Sequence, residues 1–126
     1  MAKNPTHKEA LKNAIAGLIA SFKAERNLRI MLLISLIVLA ASFFLKLSII
    51  EFTIIVWAIF AVLAVEMINT SLEAICDLVK EEWHRQAKLA KDVAAGMVLL
   101  AAVGSFVVGS LIFAPKILEL ILNLSL

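Results

Sequence analysis

An all-α integral membrane fold is predicted by three observations. Apolar residues make up 63% of the 126 positions, with a mean hydropathy of +1.01, whereas an ordinary soluble domain is about half apolar. Strongly apolar segments of membrane-spanning length occur three times, and in the second of them the polar residues recur at helical spacing. With spans of ~20 residues each, a chain of this length has room for a single membrane domain, residues 1–126, and for no separate soluble module.

The first element, residues 5–24, is expected to be an amphipathic surface helix. Thr6-His7-Lys8-Glu9 has the form of a capping box, and Leu11, Ala14, Ile15, Leu18, Ile19 and Phe22 follow on one face. Lys8, Lys12, Asn13 and Lys23 occupy the other side, which suits a helix lying among anionic headgroups. No secretory signal is expected, because the first long apolar run starts only after Arg29 and lacks a small-residue cleavage site.

Residues 30–50 read as the first span; up to Leu45 its only polar residues are Ser35 and Ser42, and with Lys46 snorkelling the apolar stretch continues to Ile50. Ser48-Ile49-Ile50-Glu51 repeats the capping-box pattern, so a tight turn at Lys46 and Leu47 leads into the second span, 52–79. At ~1.5 Å per residue that span is roughly 42 Å long, more than a ~30 Å hydrocarbon core, and it must project beyond it. A charged connector, 80–92, contains neither Gly nor Pro and is expected to be partly helical. The third span, 93–113, carries Ala94, Ala95, Gly96, Ala101, Ala102, Gly104 and Gly109, small residues that permit close helix approach in lipid, and Pro115 is expected to end it. The tail, 117–126, could form a short interfacial helix.

Six of the twelve Lys and Arg residues precede the first span and four lie between the second and third, while Lys46 and Lys116 stand alone on the other side. This distribution places the N-terminus and the connector in the cytoplasm. The lone Cys76 excludes an internal disulfide and reads as packing. His7 and His84, without cysteine company, give no support to a structural zinc site. Gly104 and Gly109 have P-loop spacing, but Ser110-Leu111 follows where Lys and Ser/Thr are needed.

The informative stretch is Glu66 to Asp77. At about 100° per residue, Glu66, Asn69, Thr70, Glu73, Asp77, Lys80 and His84 share one side of the second span, a polar stripe in a membrane-grade helix. An ionisable group in the hydrocarbon costs at least ~2.5 kcal/mol, so such residues face a bundle interior and mark a functional path. Glu66 lies in the inner part of the core, and Glu73, two turns on and roughly 10 Å along the axis, lies near the headgroups. One carboxylate can then work at the depth of a lipid hydroxyl while the other holds a hard cation that bridges substrate phosphates. Lys91 and Asp92 enter the third span from the same side, where a phosphate could meet an ammonium and a helix N-terminus. The pattern suits phosphoryl transfer at the interface. The alternatives from composition and spacing are a non-enzymatic scaffold and an ion-binding transport subunit; no nucleic-acid partner is expected.

Glu66-Met67-Ile68-Asn69-Thr70-Ser71-Leu72-Glu73-Ala74 and Lys91-Asp92-Val93-Ala94-Ala95-Gly96, with Glu25-Arg26-Asn27-Leu28-Arg29 before the first span, closely resemble the prokaryotic diacylglycerol kinase family, which includes undecaprenol kinases. The likeness covers roughly residues 10–113. It implies a surface helix and three transmembrane helices assembled as a homotrimer in the bacterial inner membrane, with active sites shared between subunits. It also implies ATP as donor, Mg²⁺ as cofactor and a membrane lipid alcohol as acceptor. By motif, Glu66 resembles the general base with Asn69 beside it, Glu25 and Glu73 resemble the Mg²⁺ ligands, and Glu82, His84, Lys91 and Asp92 resemble nucleotide contacts. Trp83 stands where the family often has Tyr, and Leu28 where it often has Phe. The acceptor stays open between undecaprenol and diacylglycerol; the turn Lys46-Leu47-Ser48-Ile49-Ile50-Glu51 resembles that of the undecaprenol-kinase branch.

Overall fold

In a computed structural model that describes residues 6–78 and 85–125, the chain folds into four helices: α1 (His7–Ala24), α2 (Arg26–Phe44), α3 (Ile49–Leu78) and α4 (Arg85–Leu124). Both capping boxes form. The Thr6 backbone N–H donates to Glu9 at 2.8 Å and the Glu9 N–H donates back to the Thr6 hydroxyl. The Thr6 backbone and hydroxyl hold the Glu9 carboxyl below its usual range, so this contribution to α1 is complete above the ordinary glutamate range and is lost as pH falls through the lowered value. At the start of α3, the Ser48 N–H donates to Glu51 at 2.7 Å and the Glu51 N–H donates to the Ser48 hydroxyl at 3.2 Å.

The corner between α1 and α2 is a single extended residue, Glu25 (φ −95°, ψ 116°). Its N–H closes the last turn of α1 onto the Ser21 carbonyl at 2.9 Å. The Arg29 guanidinium then reaches back from α2 and donates to the carbonyls of Phe22 (3.1 Å) and Lys23 (2.6 Å), satisfying acceptors that a helix end leaves open. The other corner is a Schellman motif. The Lys46 N–H donates to the Phe43 carbonyl and the Leu47 N–H to the Ser42 carbonyl, both at 3.1 Å, with Lys46 in the left-handed region at φ 51°.

Four contacts show α4 running antiparallel along α3. In order they are Lys91 to Asp77, Cys76 Sγ to the Ala87 carbonyl, the Ser105 hydroxyl to the Ala58 carbonyl (3.5 Å), and Lys116 to Glu51 (3.5 Å). α2 packs on α3, and α1 packs on α2. Little of this is a core in the soluble sense, since Leu28, Ile55 and Ala94 are the buried apolar residues. Side chains such as Ile37, Trp57 and Phe106 are 61%, 72% and 76% exposed. Apolar surface on this scale would drive a water-soluble monomer to aggregate. With α2, α3 and α4 each long and apolar enough to cross a bilayer, the protein is a multi-pass membrane protein.

The helix ends differ from the hydropathy boundaries, and α2 stops at Phe44, where the turn at Lys46 closes it, rather than at residue 50. α2 starts at Arg26, directly after the extended Glu25, rather than at residue 30, and α3 starts at Ile49, where the Ser48–Glu51 capping box sets the helix end, rather than at residue 52. α4 departs most from expectation. It begins at Arg85, inside the charged connector, and it continues through Pro115 to Leu124, so Pro115 does not end it. Proline removes one donor, that for the Leu111 carbonyl, and marks a bend point; the strongly helix-forming run Lys116-Ile117-Leu118-Glu119-Leu120 carries the helix on. The small residues of α4 also divide in two. Ala94 is buried, but a Cβ at Gly96, Gly104 or Gly109 would meet nothing within 4 Å, so these glycines do not bring α4 close to another helix of the same chain.

Candidate active site

Glu66 is the one buried ionisable side chain among the described residues, at 4% exposure. Burial on this scale requires partners. One comes from α2, where the Asn27 side-chain N–H donates to Glu66 Oε1 at 2.9 Å. Asn27 lies in the first turn of α2, so the bond fixes Glu66 at the depth of the α1–α2 corner, within a turn of Arg26 and Arg29. The second carboxylate oxygen, Oε2, is buried and has no hydrogen-bond partner among the described residues, and the same holds for Asn69 Oδ1, one turn further along the same face. A buried acceptor without a donor costs about 1–3 kcal/mol. Two of them side by side form a place built to receive donors.

Glu25 and Glu73 are half-buried. Glu25 occupies the N-cap position of α2, yet its side chain makes no capping bond, and no hydrogen bond or ion pair among the described residues engages either carboxylate. No cluster of three His, Cys, Asp or Glu side chains able to enclose a metal occurs among the described residues. That fits Mg²⁺, which keeps several waters and takes one or two carboxylates plus substrate phosphates rather than an all-protein cage.

Lys91 and Asp92 both have protein partners. The Lys91 ammonium pairs with Asp77 at 2.6 Å, tying the end of α3 to the first turns of α4, and Asp92 pairs with Lys88 at 2.6 Å. Exposed pairs of this kind are worth about 0–1 kcal/mol, so either can be exchanged for a ligand at small cost. Glu82 and His84 lie outside the described residues. The structure thus joins Glu66 and Asn69 to the α1–α2 corner that carries Glu25, and separately joins Lys91 to the end of the polar stripe at Asp77.

Asn27 was not among the residues that the stripe singled out. Its signal was present in the Glu25 to Arg29 element, but pairing it with a carboxylate 39 residues away requires knowing how α2 packs on α3. Beyond Glu66, toward the Lys46 end, the polar route stops. The hydroxyls of Ser35, Ser42, Thr53 and Ser110 each donate to the carbonyl four residues back in their own helix, and Ser105 donates to the Ala58 carbonyl.

Fold and site together describe a helical, multi-pass membrane protein with a buried carboxylate, one oxygen of which has no partner among the described residues. More narrowly, residues 12–113 match the model of the prokaryotic diacylglycerol kinase family, and the chain belongs to that family. It is 40% identical over 101 residues to the undecaprenol kinase of Bacillus subtilis, covering 80% of this chain and 82% of the relative. It is 35% identical over 130 residues to a diacylglycerol kinase of Synechocystis sp., covering 94% and 74%. To a diacylglycerol kinase of Pseudomonas aeruginosa it is 30% identical over 88 residues, covering 70% and 72%. The protein is a lipid kinase.

Proposed function

We propose that the protein transfers the γ-phosphoryl group of MgATP to the primary hydroxyl of a membrane-dissolved alcohol, undecaprenol ahead of diacylglycerol, at the cytoplasmic face of a bacterial inner membrane. The observation that carries this reading is Glu66, 4% exposed, with Oε1 held by Asn27 and Oε2 buried without a partner among the described residues. A lipid hydroxyl reaching Oε2 gives up its proton as its oxygen forms a bond to the γ-phosphorus, and the bond from that phosphorus to the bridging oxygen of ADP breaks. The product is a lipid phosphate. Asn69, one turn away, offers its amide to the hydroxyl or to the transferring group.

Phosphoryl transfer asks a protein mainly for positioning and charge neutralisation. Glu25 and Glu73 would hold Mg²⁺, which neutralises phosphate charge when it is bound. Lys91 releases Asp77 to meet a phosphate oxygen, and Asp92, Glu82 and His84 complete the nucleotide contacts. In this arrangement the N-terminus is cytoplasmic, in keeping with the Lys and Arg distribution, and α1 lies in the interface, its polar side toward water. A homotrimer is supported by the open glycine face of α4 and by the large apolar surface left uncovered on one chain.

Preference for undecaprenol is supported by the 40% identity to an undecaprenol kinase and by the turn at Lys46 to Glu51. Both lipids present a primary hydroxyl, so the discriminating experiment supplies them side by side in one detergent system and measures transfer of labelled phosphate from MgATP. The reading expects phosphate on both lipids, with kcat/KM higher for undecaprenol. Transfer to neither lipid would refute the activity, and a preference for diacylglycerol would refute the acceptor.

A further inference from the structure

We infer that Asn27 is a positioning residue for phosphoryl transfer: its side-chain amide fixes the Glu66 carboxylate so that Oε2, and not Oε1, receives the acceptor proton. The inference rests on the reading of Glu66 as the base. Glutamate has three rotatable side-chain bonds, and a carboxylate held only by its backbone would sample several orientations. The Asn27 N–H removes that freedom by engaging Oε1 at 2.9 Å. It leaves Oε2 buried and without a partner among the described residues, on the face shared with Asn69.

The choice of an amide donor has chemical content. An ammonium or an imidazolium in this place could hand a proton to Glu66 and silence it, whereas an amide N–H orients the carboxylate and has no proton to give up. Among the described residues this is also the only hydrogen bond between α2 and α3, so the orientation of Glu66 is set by the helix that carries Glu25 at its cap. Leu28, fully buried next to Asn27, seats that first turn against its neighbours.

The test uses the full-length assembled protein in detergent, with rates normalised to the correctly assembled fraction. Asn27→Ala is expected to lower kcat by about 10–100-fold, the scale of a misoriented catalytic group, with KM for MgATP and the Mg²⁺ activation midpoint changed by less than about twofold. Asn27→Asp, of the same shape but carrying no donor, should be at least as impaired, because it sets one carboxylate against another. Asn27→Gln retains an amide on a longer stem and should recover part of the rate. In a Glu66→Gln background, Asn27→Ala should cause no further loss.

A normal kcat for Asn27→Ala overturns the inference. So does a loss confined to the MgATP or Mg²⁺ requirement, which would make Asn27 a prop for the Glu25 corner, and so does a full additional loss on top of Glu66→Gln. Should Glu66→Gln itself prove active, the base assignment fails, and that outcome is distinct from a failure of Asn27 alone.

Discussion

Replacing Glu66 with Gln is expected to lower turnover by at least ~100-fold, within the usual effect of losing a general base. The substitution is nearly isosteric, and the Gln carbonyl oxygen can still accept the Asn27 N–H that now reaches Oε1. What changes is the second position. Oε2, an acceptor without a partner among the described residues, becomes an NH₂ group that donates and cannot take a proton. Assembly and nucleotide binding should therefore persist while kcat collapses. A variant with near-normal kcat would remove the base assignment, and a variant that fails to assemble would instead identify Glu66 as structural glue between α2 and α3.

Neutralising either carboxylate at the nucleotide end should leave a different signature. Glu25→Gln and Glu73→Gln are each expected to raise the Mg²⁺ and MgATP concentrations needed for half-maximal rate by at least ~10-fold, with little change in lipid KM. Glu25 sits at a helix cap without capping and Glu73 is half-buried without an ion pair among the described residues, so neither change should unfold its helix. A change in lipid KM alone would contradict the metal role. The same variants probe sharing of sites between subunits, since an oligomer mixed from Glu66→Gln and Glu25→Gln chains contains some sites with both native residues only if neighbours contribute them. Partial recovery of activity is the expected result, and its absence from well-mixed oligomers would place each site within one chain.

The parts of this molecule legible in its sequence are those set by neighbours along the chain. Thr6 with Glu9, and Ser48 with Glu51, lie three residues apart and form their caps as the spacing requires. Glu66, Asn69 and Glu73 could be placed on one side of a helix because helical period alone determines that. Features that depend on packing between helices were not legible. The pairing of Asn27 with Glu66 depends on how deep the first turn of α2 sits against α3, and the Arg29 cap depends on the angle of the Glu25 corner. Sequence also misjudged α4. Proline weighs against helix locally, but the lost bond at Leu111 is one among many in a 40-residue helix. The glycines of α4 were expected to permit close helix approach, yet within this chain they face open space, and nothing in the sequence distinguishes a partner helix in the same chain from one in another.

In the proposed function the polar route enters from the side bearing the N-terminus, stops at Glu66, and serves a lipid alcohol drawn sideways from the bilayer. Beyond Glu66 the hydroxyls of Thr53, Ser105 and Ser110 donate to helix carbonyls. The most direct measurement reconstitutes the protein with uniform orientation in sealed vesicles and follows phosphate transfer with ATP confined to one side. The account predicts lipid phosphate only when a lipid alcohol is present and ATP is on the side bearing the N-terminus, with no accompanying ion flux. Equal transfer with ATP confined to the Lys46 side, or ion flux that needs no lipid alcohol, would contradict it.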